Sequence, residues 1–113
     1  MNTTIKAYLD KAPIEVRFRL TWIYNTIKKH LTPATETFAY QMPTFKGKHN
    51  LIHFAYYSKH IGIYPGPKGI LFLQSIDATL MTSKGTWQIP HDQPLPKKVF
   101  STLCRWIKQT QDE

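Results

Sequence analysis

The sequence predicts an α+β fold: a two-layer sandwich with an antiparallel sheet packed against helices from the two ends of the chain. Three observations carry that expectation. Apolar residues recur at helical spacing near both termini, the middle alternates with a period of two, and a chain of 113 residues is too short for two separately stable cores. One domain over residues 1–113 follows. Its 42% hydrophobic and 13% aromatic content excludes general disorder and is enough to fold without disulfides or a structural metal.

The elements follow in order. Thr3 or Thr4 can cap a short helix with Ile5, Tyr8 and Leu9 on one face, ending near Lys11-Ala12 before Pro13. Pro13 suits the first turn of a second helix, in which Val16, Leu20, Ile23, Ile27 and Leu31 stack on one side. Ile14, Phe18 and Trp22 are expected to widen that buried stripe, and Thr32-Pro33 stops the helix. Glu36 to Tyr40 reads as a short extended segment that Pro43 breaks before Thr44-Phe45-Lys46. Gly47 to Asn50 is turn chemistry, with Gly47 free to take a positive φ. Leu51 to Tyr56 alternates as a strand, and Ser58-Lys59 closes a hairpin into His60 to Tyr64, which Pro65-Gly66-Pro67 ends. Gly69 to Met81 fits either a helix or an irregular apolar segment. Ser83-Lys84-Gly85 turns into a short strand, Thr86 to Ile89, and a last helix from about Pro96 buries Val99, Phe100, Leu103 and Ile107.

Charge bears on partners. Fifteen Lys and Arg against seven Asp and Glu leave a formal +8, which favours anionic partners: an anionic small molecule, an acidic protein or nucleic acid. The basic residues are scattered, so a dispersed solubilising surface is the competing reading. No apolar run reaches the roughly 18 residues of a membrane span and no secretory signal is evident, so the cytoplasm is the default location and no membrane partner is expected. The lone Cys104 cannot pair internally and falls on the buried side of the last helix, where an inert thiol is expected.

No nucleophile elbow, paired acidic motif or dinucleotide fingerprint is present, so no catalytic residues and no enzyme activity are expected. His60 and Tyr64 share a face of one strand with Gly62 between them, leaving room for a shallow groove. Ser83, Lys84 and Thr86 around a glycine turn offer an ammonium and two hydroxyls to an anion. Together with Tyr40 as a pocket-wall candidate, these residues form the expected ligand site of a non-catalytic binding domain. Tyr40, Met42 and Phe45 are otherwise read as core packing, as are Trp22, Trp87 and Trp106. His49 and His53 are four apart but lack a third ligand, which makes them only a weak metal candidate. Lys46, Lys48 and Lys59 with the hairpin aromatics are the nucleic-acid alternative.

The order of motifs resembles the YdhG-like family, a bacterial group of small domains of mostly unknown function. The resemblance rests on Tyr40-Gln41-Met42-Pro43-Thr44-Phe45, then His60 to Pro65, then Ser83 to Pro90, then Pro94-Leu95-Pro96 before the last helix, with Ile5 to Leu9 at the start. It covers nearly the whole chain. It implies a two-layer fold often compared to frataxin, and one branch of the family is assigned as an intracellular iron chaperone serving iron-cluster assembly. Iron delivery relies on carboxylates. The chain has only seven, of which Asp112 and Glu113 are at its end and Asp10 and Glu15 lie among Lys6, Lys11 and Arg17, so composition argues against iron binding.

Overall fold

The computed structural model describes residues 1–111; Asp112 and Glu113 lie outside the described residues. The chain runs α1 (Thr3–Asp10), α2 (Ile14–Leu31), β1 (Thr35–Ala39), β2 (Met42–Lys46), β3 (Asn50–Tyr56), β4 (His60–Tyr64), α3 (Pro67–Ile76), β5 (Trp87–Pro90) and α4 (Lys97–Thr110). The five strands form one antiparallel sheet in chain order, β1-β2-β3-β4-β5. Helices cover one face of it, giving the expected two-layer α+β sandwich.

One fully buried set joins the layers. Leu20, Ile23, Ile27 and Leu31 from α2 and Phe100, Leu103 and Ile107 from α4 meet Phe45, Ile52, Phe54, Ile61, Ile63 and Trp87 from the sheet. Trp22 lies edge-on to Phe100 at 5.6 Å, and Lys108 Nζ donates to the Thr32 carbonyl at 2.9 Å. The two long helices therefore run side by side in the same direction. Ile14 and Phe18 do not join this core: they are 62% and 70% exposed, because the helix side toward the sheet is already filled by the Val16–Leu20–Ile23 stripe.

Several local expectations are corrected. The cap of α1 is Asn2, whose Oδ1 accepts from Thr4 N and Ile5 N at 2.8 and 3.1 Å, and not Thr3 or Thr4. Pro43 does not break a strand but lies buried within β2, opposite Phe38. Pairing of β2 with β3 begins only at Thr44↔His53, so the missing N–H falls where that ladder has ended. Gly47 does not take the positive φ anticipated for it; Gly66 does, at φ +83°, where the chain leaves β4 and starts α3 at Pro67. The ambiguous Gly69 to Met81 segment is helical as far as Ile76.

Candidate functional site

The alternation of the strands divides the sheet residues between two environments. Phe45, Ile52, Phe54, Ile61, Ile63 and Trp87 face the helices. The opposite face carries Thr37, Thr44, His53 and Tyr64, which lie directly across from one another on β1 to β4, and beside them a row that is low at Ala55↔Gly62 and ends at Gln88. The buried helix residues pack on the other face, and this one carries polar, aromatic and small residues.

Tyr64 uses the low row as a bed. A Cβ added to Gly62 would stand 2.7 Å from the Tyr64 hydroxyl and 3.0 Å from two ring carbons, so the ring lies across the glycine. The shallow groove expected at Gly62 is thus filled by its own neighbour. From there the Tyr64 hydroxyl meets the Tyr57 hydroxyl at 2.8 Å, and the Tyr57 ring lies against the His60 ring with centroids 4.9 Å apart. His60 and Tyr64 are therefore brought together, but through Tyr57. Burial, with the Tyr57 hydroxyl beside it, pushes ionisation of Tyr64 well above the ordinary range of a phenol, so it stays a neutral donor.

Two hairpin turns meet at this end of the sheet. The β1–β2 turn is the two-residue loop Tyr40-Gln41, with φ of 52° and 61°. Such a turn suits Asn-Gly. Non-glycine residues in left-handed conformation cost roughly 1–2 kcal/mol each. The turn lays Tyr40 edge-on against His53, with centroids 5.5 Å apart, while leaving it 79% exposed. The core role expected for Tyr40 is overturned: Phe45 is buried, Met42 half-buried and Tyr40 outside. His53 is anchored from below, its Nδ1 2.6 Å from the buried Thr44 hydroxyl, which also donates to the Met42 carbonyl at 3.0 Å. Burial lowers the His53 pKa.

Between the two turns lies a cleft of about 350 Å³ lined by Tyr8, Tyr40, Gln41, Met42, Ala55, Tyr57 and Tyr64. Tyr8 comes from α1 and closes the end of the sheet. Its oxygen accepts the Tyr56 N–H at 3.0 Å, a donor left over where β2 stops pairing with β3. Its ring sits edge-on to Phe38 and Tyr56. Four tyrosines thus surround one opening, and no carboxylate lines it.

Other expected site residues fall elsewhere. Ser83 and Lys84 line a separate cleft of about 430 Å³ against α3, with Pro67, Ile70, Leu71 and Gln74. Thr86 serves the same turn through its carbonyl, which accepts from Ser83 N at 2.8 Å. Ser83 and Lys84 thus line a different cleft from those bordered by His60 and by Tyr64. His60 also borders a cleft with Lys59, Met81, Gln88, Pro90, His91 and Asp92. Lys46 and Lys48 flank the β2–β3 turn and Lys59 the β3–β4 turn, at opposite ends of β3 and about 20 Å apart at strand rise. His49 borders a cleft with Trp106 and Ile107 and is not beside His53, whose ring is on the open face. Among the described residues no three His, Cys, Asp or Glu side chains group as metal ligands.

Three carboxylates have side-chain or backbone partners. Asp10 pairs with Lys6 at 2.8 Å, and Asp77 binds its own Thr79. Glu36 ties three elements together, accepting from Asn2 N at 2.8 Å, Tyr24 Oη at 2.7 Å and Lys28 Nζ at 3.2 Å. Burial works against its charge, yet these donors outweigh it and its pKa is lowered. Cys104 is fully buried, and desolvation pushes its thiol up to about 12, well outside the reactive range.

Sequence reasoning missed Tyr8, Gln41 and Tyr57. Tyr8 has the periodicity of a core-facing helix residue, and Gln41 carries no chemical signal. Tyr57 alone had a cue, an aromatic at the end of a strand where a turn exposes it.

No family model and no curated protein sequence matches this chain. Among solved structures, the crystal structure of YdhG from Bacillus subtilis, a protein from the DUF1801 family, superposes with a TM-score of 0.86 at 16% identity, over 98% of this chain and 93% of that one. At that identity the likeness is one of fold. It is the YdhG-like fold that the motifs Tyr40 to Phe45, His60 to Pro65 and Ser83 to Pro90 imply.

Proposed function

We propose that this chain is a non-catalytic accessory domain that binds a small molecule bearing an anionic or carbonyl oxygen in the tyrosine cleft. One observation carries the reading: the cleft is rich in hydrogen-bond donors and has no carboxylate. The Tyr8 oxygen is used as an acceptor, so its own proton is directed elsewhere, and the Tyr57–Tyr64 pair consumes only one of its two protons. Two phenolic protons and the Gln41 amide border the same opening. A bound carboxylate, phosphate or carbonyl supplies what they lack, and the net charge of +8 raises the local concentration of anions. The left-handed Tyr40-Gln41 turn supports the same reading, because backbone strain concentrates where a side chain must be held for a ligand.

Thermal unfolding against inorganic phosphate, succinate, benzoate and p-hydroxybenzoate tests this. A ligand at a hundred times its Kd stabilises by about 2.7 kcal/mol, roughly 10 °C in a domain of this size. Tyr57→Phe and Tyr64→Phe should remove that shift while changing the unliganded Tm by only a few degrees. If no probe stabilises the protein, or if both phenylalanine variants keep the shift, the cleft is not the site.

A further inference from the structure

On the other side of the molecule, the solvent face of α2 carries Ile14, Phe18 and Trp22 in consecutive steps of four. The first two are 62% and 70% exposed, and Trp22 is half-buried against Phe100. Steps of four form the ridge by which one helix packs against another, and here the ridge is uncovered. Its surroundings are predominantly basic. The adjacent helices α2 and α4 hold eight Lys and Arg and a single acid, Glu15. Lys97 Nζ stands 5.6 Å from the Trp22 ring centre, and Lys29 continues the ridge toward the C-terminus of α2.

We infer that this ridge is a docking surface for an acidic amphipathic helix of a partner protein, with apolar side chains over Ile14 and Phe18 and carboxylates over Lys29 and Lys97. The charge pattern selects against a second copy, since a second copy would bring the same basic excess, Lys29 and Lys97 included, to the contact. The narrowness of the ridge, three residues on one helix, fits a single helix better than a lipid plane. This surface does not involve the tyrosine cleft, and either reading stands without the other.

The test uses the full chain and a fluorescent synthetic helix with leucines at i, i+4 and i+8 flanked by glutamates, followed by anisotropy. Phe18→Ser and Ile14→Ser should each weaken binding about tenfold with the Tm unchanged, both residues being exposed, while Tyr57→Phe leaves binding as it was. A counterpart peptide with lysines in place of the glutamates should not bind. Equal affinity of the peptide for the parent and both serine variants would mean attraction by charge alone and would overturn the inference. So would tighter Phe18-dependent binding to phosphatidylserine vesicles or RNA, or a dimer in sedimentation velocity that Phe18→Ser abolishes.

Discussion

Gly62→Ala separates the stability of the fold from the integrity of the tyrosine cleft. The new methyl would stand 2.7 Å from the Tyr64 hydroxyl and 3.0 Å from its ring, well inside contact distance, so something must move. Gly62 has no positive φ, so the backbone accepts alanine, and what moves is the outer end of the Tyr64 side chain. A shift of even half an ångström or so takes the 2.8 Å hydroxyl pair to the limit of a hydrogen bond. Losing that bond costs about 0.5–1.5 kcal/mol. Replacing a strand glycine by alanine returns roughly 0.5–1 kcal/mol of conformational entropy. The two nearly cancel, so the net change in unfolding free energy should stay within about 1 kcal/mol. Urea denaturation followed by tryptophan fluorescence reads that term. The ring resonances of Tyr57 and Tyr64 and the ligand-induced thermal shift read the cleft. The expected result is a protein of near-parental stability with displaced tyrosine resonances and no response to ligand. A loss above about 3 kcal/mol would show that Tyr64 is locked in place and that the packing argument is wrong. Unchanged ring resonances with ligand binding intact would refute it from the other side.

Leu20→Ala should cost about 3–5 kcal/mol in urea unfolding, whereas Phe18→Ser, two residues away on the same helix, should stay within about 0.5 kcal/mol, because Leu20 is fully buried and Phe18 is not. Glu36 has a folded pKa below its ordinary 4.5, so its contribution is fully present above that value and is lost as pH falls through the folded pKa. Glu36→Gln should therefore remove about 1–3 kcal/mol at neutral pH and flatten the stability profile below about pH 4.5, measured by unfolding across an acid series. His53, its pKa lowered by burial, acts with the same sign at higher pH: stability drops as the pH falls from its ordinary 6.5 toward the folded value, and His53→Gln should abolish that step. Cys104, buried with a thiol near 12, should resist iodoacetamide at pH 8 in the native protein and react fully in urea, as followed by mass spectrometry.

Period and punctuation alone made most of the fold legible. The spacing of Val16, Leu20, Ile23, Ile27 and Leu31, the alternation from Leu51 to Tyr64 and the proline boundaries are local signals, and they define elements without knowledge of what packs against them. The same logic explains Ile14 and Phe18. Helical spacing says that residues share a face, but only the second layer decides how wide a face is covered. Pro43 shows the converse: proline is read as a break unless it is known that the neighbouring strand no longer pairs there.

The candidate site was legible only in fragments. Single residues such as His60, Tyr64 and Tyr40 carry chemical signals, but the sequence groups Lys84 with them because charge has no address in a linear sequence, whereas in the fold Lys84 lines a different cleft. Sequence by itself determined the α+β class, the sandwich and the basic charge. Tertiary structure alone decided which tyrosines converge. That convergence depends on two hairpins ending at the same edge, on Gly62 being low enough for a ring to cross, and on a helical tyrosine reaching the Tyr56 N–H, all of them relations between residues up to 56 positions apart, the span from Tyr8 to Tyr64.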